Sequence, residues 1–195
     1  MNNFIEMIES RRSVYALDKN MPVGDDQVFD LVRDCVKFVP DAFNMKSQRV
    51  VIFTGAQHKK FWDKVYDELV KFTGENLSRE RIDSFAMGYG TILYFYDVDI
   101  VEAAKSKYSK YADRFNDWVM QSNGMLQFAI WTGLATFGVG ASLQHYNPII
   151  NKMVQDMFDV PKNWVLVAQM PFGGIAKNPD PRSDEDMSHR FVIKK

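Results

Sequence analysis

A chain of 195 residues is long enough for one substantial core and short for two. Its 46% hydrophobic and 25% charged residues are those of an ordinary globular protein, and a formal net charge of -1 removes the bulk electrostatic case for binding nucleic acid. The lone Cys35 and three scattered histidines give no internal disulfide and no zinc spacing, and the start MNNFIEMIESRRS has no signal-peptide core, so no metal and a reducing cytoplasm are the expectation.

Residues 3–12 read as a helix, with Asn3 and Glu6 in a capping-box pattern and Phe4, Met7 and Ile8 on one face. SVYALDKNMP follows as a loop. A second helix spans 25–39, where Val28, Leu31, Val32, Cys35, Val36 and Val39 recur at helical spacing until Pro40 stops it. RVVIFT is a short buried strand, 57–72 an amphipathic helix ended by Gly74, and 78–87 a shorter helix leading into the strand TILYFYD. Residues 99–111 are helical and highly charged.

From Trp118 to Gln144 there is no charged residue over 27 positions, enough to cross a bilayer. Gln121, Ser122, Asn123 and Gln127, with four glycines, argue instead for a helix buried on all sides within the protein. A helix over 148–158, a third strand NWVLVAQM and a fourth, RFVIKK, complete the chain; the fourth belongs to its own sheet or to a partner's. AKNPDPRSDEDM between them is a loop. The elements are interspersed without repeat or linker, so residues 1–195 form a single α+β domain with a central sheet covered by helices.

The chain carries no GxSxG, Walker loop, HExxH or CxxC, and GVGAS follows a helix, which makes it a helix-ending turn rather than a dinucleotide fingerprint. Any enzyme chemistry is therefore borrowed from a cofactor. Four places are candidates to hold one. Arg11, Arg12 and Ser13 offer forked donors and a hydroxyl to a phosphate, or simply place cations at a helix C-terminus. In PDAFNMKSQRV, Asn44 can donate and accept as a flavin's pyrimidine edge requires, and Lys46 can stabilise negative charge on the reduced ring; the alternative for Asn44 is shaping a turn. In MPFGGIAKNP the paired glycines allow close backbone approach and bare N–H groups, or form an ordinary turn. Arg190 is a further phosphate ligand or a surface arginine.

The order RRSVYAL, FNMKSQRVVIF, GVGASLQHYNP, MPFGGIA resembles the FMN-dependent nitroreductase family, above all its short branch, often labelled fatty acid repression mutant or oxidoreductase-type nitroreductases. The resemblance covers essentially the whole chain. It implies a nitroreductase-like fold with a central mixed sheet, in an intertwined homodimer with FMN at the subunit interface and the uncharged helix in the dimer core. By similarity, Arg11, Arg12 and Ser13 contact the FMN phosphate and ribityl chain, with Tyr15 close by and Arg190 completing the clamp. Asn44 faces the ring or ribityl chain, and Pro171, Phe172, Gly173 and Gly174 line the ring, with Gly173 as amide donor to flavin N5. Phe43 shapes a flat acceptor pocket. Gln144, His145 and Tyr146 contact substrate or pack the loop. Where the branch usually reads Asn-Ser-Gln-Ser, this chain reads Asn44-Met45-Lys46-Ser47, so Lys46 replaces a glutamine and either reaches the flavin or points to solvent. The activity implied is ping-pong electron transfer from NADH or NADPH through FMN to nitroaromatics, quinones or similar small acceptors. The branch's name also admits a non-catalytic flavin or ligand sensor regulating lipid or stress metabolism.

Overall fold

Two apolar runs that alternate between the faces of one sheet set the architecture. In the computed structural model, which describes residues 3–74, 77–183, 185–186 and 188–195, β3 (Gly90–Asp97) lies between β2 (Gln48–Thr54) and β5 (Trp164–Ile175). β1 (Leu17–Asp18) and β4 (Gly140–Ala141) pair with the distal part of β5. Successive side chains of β3 point to opposite faces. Ile92 and Tyr94 enter a core shared with Leu126, Ile130 and Leu134 of α6 (Phe115–Thr136) and Val28 and Val32 of α2 (Asp25–Phe38). Leu93 and Phe95 enter the other, with Phe61 and Trp62 of α3 (Gly55–Thr73), Phe85 of α4 (Glu80–Ala86) and Val154 of α7 (Asn151–Phe158). α1 (Asn3–Ser10) packs on α6, and α5 (Val98–Lys107) covers the start of α6. A sheet buried on both faces is why its strands read as nearly unbroken apolar runs.

The α+β class and the helix-covered central sheet are as the sequence led one to expect. The pairing differs in one respect: among the described residues every ladder runs antiparallel, and the only parallel contact is the isolated bridge Ser13–Ala141. RFVIKK, read as a fourth strand, joins no ladder of its own chain, and Phe191, Val192 and Ile193 stand 66–72% exposed. Asp184 and Met187 of the expected 176–187 loop lie outside the described residues. MPFGGI is not a turn after a strand. β5 continues through Ile175, because Pro171 sits opposite Thr91, Gly173 opposite Gly140 and Gly174 opposite Asp18.

The uncharged helix is buried on one side only. Three polar residues near its start are satisfied within that side: Asn123 donates to the Phe95 carbonyl at 3.1 Å and to Gln48, Gln127 donates to Asn123 at 2.6 Å, and the Ser122 hydroxyl accepts from the Ala42 amide at 3.2 Å. On the other side Met120, Met125 and Phe128 are 40–48% exposed, and Gly124 is open to space. Among the described residues no helix is long and apolar enough to cross a membrane.

Candidate functional site

α1 stops at Ser10, so Arg11 and Arg12 lie just beyond its last turn. The Arg11 guanidinium stacks on the Trp131 ring of α6, 4.4 Å from its centroid. Arg12 donates to the Asp180 carbonyl at 2.5 Å, and Arg182 donates to the carbonyls of Glu9 (3.1 Å) and Arg11 (2.7 Å). These bonds lay the 180–182 segment across the end of α1 and gather three guanidiniums. Among the described residues no carboxylate pairs with any of them. Partial burial, then repulsion from Arg182 and Arg12, holds the Arg11 pKa below its ordinary value. The indole N–H of Trp131, under the Arg11 stack, is buried without an acceptor. An uncompensated cationic cluster with an orphaned donor beside it suits an anion with several acceptor oxygens.

Ser13 continues from this cluster into the sheet through its bridge to Ala141, and Val14 donates to the Ala141 carbonyl at 2.9 Å. A cleft of about 190 Å³ runs past Ser13, Tyr15, Lys177 and Asn178. Tyr15 is 48% exposed, and Arg81 of α4 sits 5.2 Å from its ring centroid. Arg81 also bonds the Tyr146 hydroxyl and opposes the upward shift that burial imposes on it. Arg81 thus brings a positive charge to the Tyr15–Tyr146 edge. Sequence reading passed over both Arg81 and Arg182, since each sits in a polar stretch whose charges look like solvated surface.

The remaining expected residues divide. Gln144 is buried, its backbone paired with Gln169 in both directions (2.7 and 2.9 Å), and the Tyr146 amide donates to the Gln169 side chain at 2.8 Å. That is loop packing. His145 between them is exposed. Arg190 does not join the cluster; its ion pair is with Glu185. Pro171, Phe172, Gly173 and Gly174 are buried inside β5. A Cβ at Gly173 would collide with the Asp18 carbonyl, and one at Gly174 with the Asp18 carboxylate and the Asn20 carbonyl. The close backbone approach those glycines permit is to their own chain.

Asn44, Phe43 and Lys46 form a second, separate cluster. Phe43, Asn44 and Lys46 all have φ between 52° and 57°, a left-handed conformation that costs a non-glycine residue on the order of 1 kcal/mol each. The Asp41 carboxylate holds the turn by accepting from the Ala42 amide (2.8 Å), the Ser47 amide (2.7 Å) and the Ser47 hydroxyl (2.8 Å). The strain presents Phe43, 47% exposed, against Tyr108 (4.5 Å between centroids), Phe115 (5.4 Å) and Trp118 (5.6 Å). A shallow cavity of about 320 Å³ opens beside it, bounded by Phe43, Trp118, Gln121 and Met125. Lys46 is exposed.

The two clusters do not meet within one chain. One touches α6 at Trp118 and the other at Trp131, and at about 1.5 Å of rise per residue that separation is roughly 20 Å along the helix.

A profile described as Nitroreductase family matches residues 8–174. Nitroreductase FRM2 of Saccharomyces cerevisiae is 31% identical over 173 residues, covering 88% of this chain and 87% of that protein. The structure of nitroreductase CinD from Lactococcus lactis in complex with nicotinic acid superposes with a TM-score of 0.94 at 36% identity, covering 99% of this chain and 100% of that one. CinD in complex with 4-nitrophenol gives a TM-score of 0.92 at 36% identity, with the same coverage. The chain belongs to the nitroreductase family and is an oxidoreductase of the nitroreductase type.

Proposed function

We propose that this protein is an FMN-dependent NAD(P)H oxidoreductase that reduces nitroaromatics, quinones or similar flat acceptors, acting as a homodimer in the cytoplasm. The observation that carries the reading is the uncompensated trio Arg11, Arg12 and Arg182 beside Ser13. That donor set fits a phosphate monoester, which takes forked guanidinium contacts and a hydroxyl. Bound there, FMN supplies two-electron transfer between a nicotinamide and an acceptor. The chain's own residues do the rest. Arg11, Arg12, Arg182 and the Ser13 hydroxyl hold the phosphate. Arg81, held by Tyr15 and Tyr146, would lend positive charge to a group bound at that edge.

The dimer completes the site. Two copies of α6 packed antiparallel along Met120, Gly124, Met125 and Phe128 bring the Phe43–Asn44 turn of one copy beside the arginine cluster of the other. The exposed FVI segment at the C-terminus then has a sheet edge to join, β2, which is paired on one side only. Phe43 and its aromatic neighbours become the wall against which a flat acceptor stacks. That 4-nitrophenol is bound by CinD, a relative of similar length, supports this acceptor class.

The test is reconstitution with FMN. The wild type binds FMN, and its flavin absorbance bleaches anaerobically with NADH or NADPH and returns with a quinone. Losing one charge-assisted phosphate contact costs about 1.5–3 kcal/mol, so Arg182→Ala weakens FMN binding roughly ten- to a hundredfold, whereas Arg190→Ala leaves it within about twofold. Equal effects of the two substitutions, or a protein that FMN cannot reconstitute, defeat the proposal.

A further inference from the structure

The strained turn at Phe43 is anchored by a run of hydrogen bonds that continues well past the turn itself. The Asp41 carboxylate closes it at both ends, through the Ala42 amide (2.8 Å) and the Ser47 amide (2.7 Å). A carboxylate only accepts, so the Ser47 hydroxyl directs its proton to Asp41 (2.8 Å) and accepts in turn from the Gln48 side-chain amide (3.2 Å). The Gln48 Nε2 also reaches the Val119 carbonyl at 3.4 Å, which leaves the Gln48 oxygen facing Asn123. Asn123 donates to that oxygen and to the Phe95 carbonyl (3.1 Å). Its own oxygen accepts from Gln127 (2.6 Å), one turn further along α6.

Every donor and acceptor in this chain is therefore oriented by the carboxylate at its start. Ser47, Gln48, Asn123 and Gln127 are 0–8% exposed, so a reversed member would leave donor facing donor away from water. Ser122 adds a second hold, its hydroxyl sharing the Ala42 amide at 3.2 Å. The turn is thus tied to the first residue of β2 and to two turns of α6.

What is held so firmly is an aromatic ring with little to gain from it. Phe43 remains 47% exposed, so burial does not account for left-handed backbone at Phe43, Asn44 and Lys46. Relaxation to right-handed or extended backbone would swing Phe43 away from Tyr108 and Trp118. Asp41, Phe43 and Ser122 all border the cavity of about 320 Å³, with Trp118 and Met125 completing its wall. The hydrogen-bond chain and the strain therefore converge on the shape of that cavity.

We propose that Asp41 and Asn123 are positioning residues that, through one buried hydrogen-bond chain, fix Phe43 as the wall on which a flat acceptor stacks. This role presupposes the flavin-dependent activity proposed above, and it places control of acceptor affinity in side chains outside the aromatic cluster.

The test uses full-length protein saturated with FMN. It is titrated calorimetrically with 2-naphthol, a flat molecule that accepts no electrons, and its steady-state kinetics are followed with menadione. Loss of a well-placed aromatic partner predicts that Asp41→Ala weakens 2-naphthol binding about five- to tenfold and raises the menadione KM by the same factor. The kcat stays within about twofold, since the flavin chemistry is untouched. Asp41→Asn, whose amide oxygen still accepts from Ser47, recovers part of the loss. Asn123→Leu, three hydrogen bonds away from Asp41, reproduces it. Both losses vanish in a Phe43→Ala background, because residues that act through Phe43 then have nothing to position. Losses that persist in that background overturn the proposal. So do unchanged naphthol affinity in Asp41→Ala, a fall in kcat at constant KM, or a wild type that does not bind naphthol. If Asn123→Leu does not fold, the Asp41 variants, at a half-buried position, decide alone. A wild type that neither takes up FMN nor bleaches with NADH or NADPH defeats the flavin reading and this role with it. A wild type that does both, with variants that bind naphthol normally, defeats this role alone.

Discussion

His58 shows how one side chain couples packing to pH. Burial pushes its pKa down from 6.5 to about 4, against the favourable carbonyls of Ala86 and Phe85, and the positive charge of Lys19 acts in the same direction as burial. Thr91 and Trp62 face the ring from β3 and from its own helix without adding charge. The unfolded chain then binds a proton below pH 6.5 that the folded chain refuses until about pH 4. Stability contributed by the neutral ring is complete above pH 6.5 and is lost as pH falls toward 4, to a limit of about 3 kcal/mol by linkage. Urea unfolding midpoints at pH 7 and pH 4.5 measure this. His58→Gln flattens that part of the profile. If the variant and the wild type lose stability in parallel over this window, the acid sensitivity belongs to other groups.

Among the elements, β5 is the one whose meaning changed most between sequence and structure. Its apolar run was legible, as were α2, α3, β2 and β3, because burial on one face imposes a period of 3.6 and burial on both faces removes polar residues. The glycine pair at 173–174 was not. A glycine required by a ligand and one required by a neighbouring strand look identical in sequence; only the Leu17–Asn20 segment, folded over β5, tells them apart. The same blindness hid the third arginine, Arg182, since its bonds to the carbonyls of Glu9 and Arg11 depend on where the 180–182 segment crosses α1. Gly173→Ala therefore acts through the sheet. Forcing a Cβ against the Asp18 carbonyl costs about 1–3 kcal/mol and lowers Tm by roughly 3–10 °C, as much in FMN-free protein as in FMN-loaded protein. An apo Tm that does not move, with FMN affinity lost, would return Gly173 to the flavin and contradict the burial argument.

For the whole molecule, the two clusters lie roughly 20 Å apart on α6. The absence of charge from Trp118 to Gln144 gave the sequence reading a helix buried on all sides, yet one chain buries only one side. Both facts hold if a second copy covers Met120, Gly124, Met125 and Phe128. The strained Phe43–Lys46 turn then also has a reason, because the half-exposed Phe43 wall would face the arginine cluster of the other copy. A charge placed in the centre of that face tests the arrangement. Met125→Glu buries an unpaired carboxylate in a dimer, a cost of several kcal/mol, but leaves it in water in a monomer. The variant is expected to sediment as a monomer with the wild-type far-ultraviolet circular dichroism. FMN affinity falls by at least tenfold, although Met125 touches none of the arginines, because the wall contributed by the second copy is gone. Removing residues 190–195 weakens the dimer by the same route, through the strand that β2 no longer receives. A monomeric Met125→Glu protein that held FMN as tightly as the wild type would show that one chain carries the whole site. The two clusters would then have to be read as unrelated.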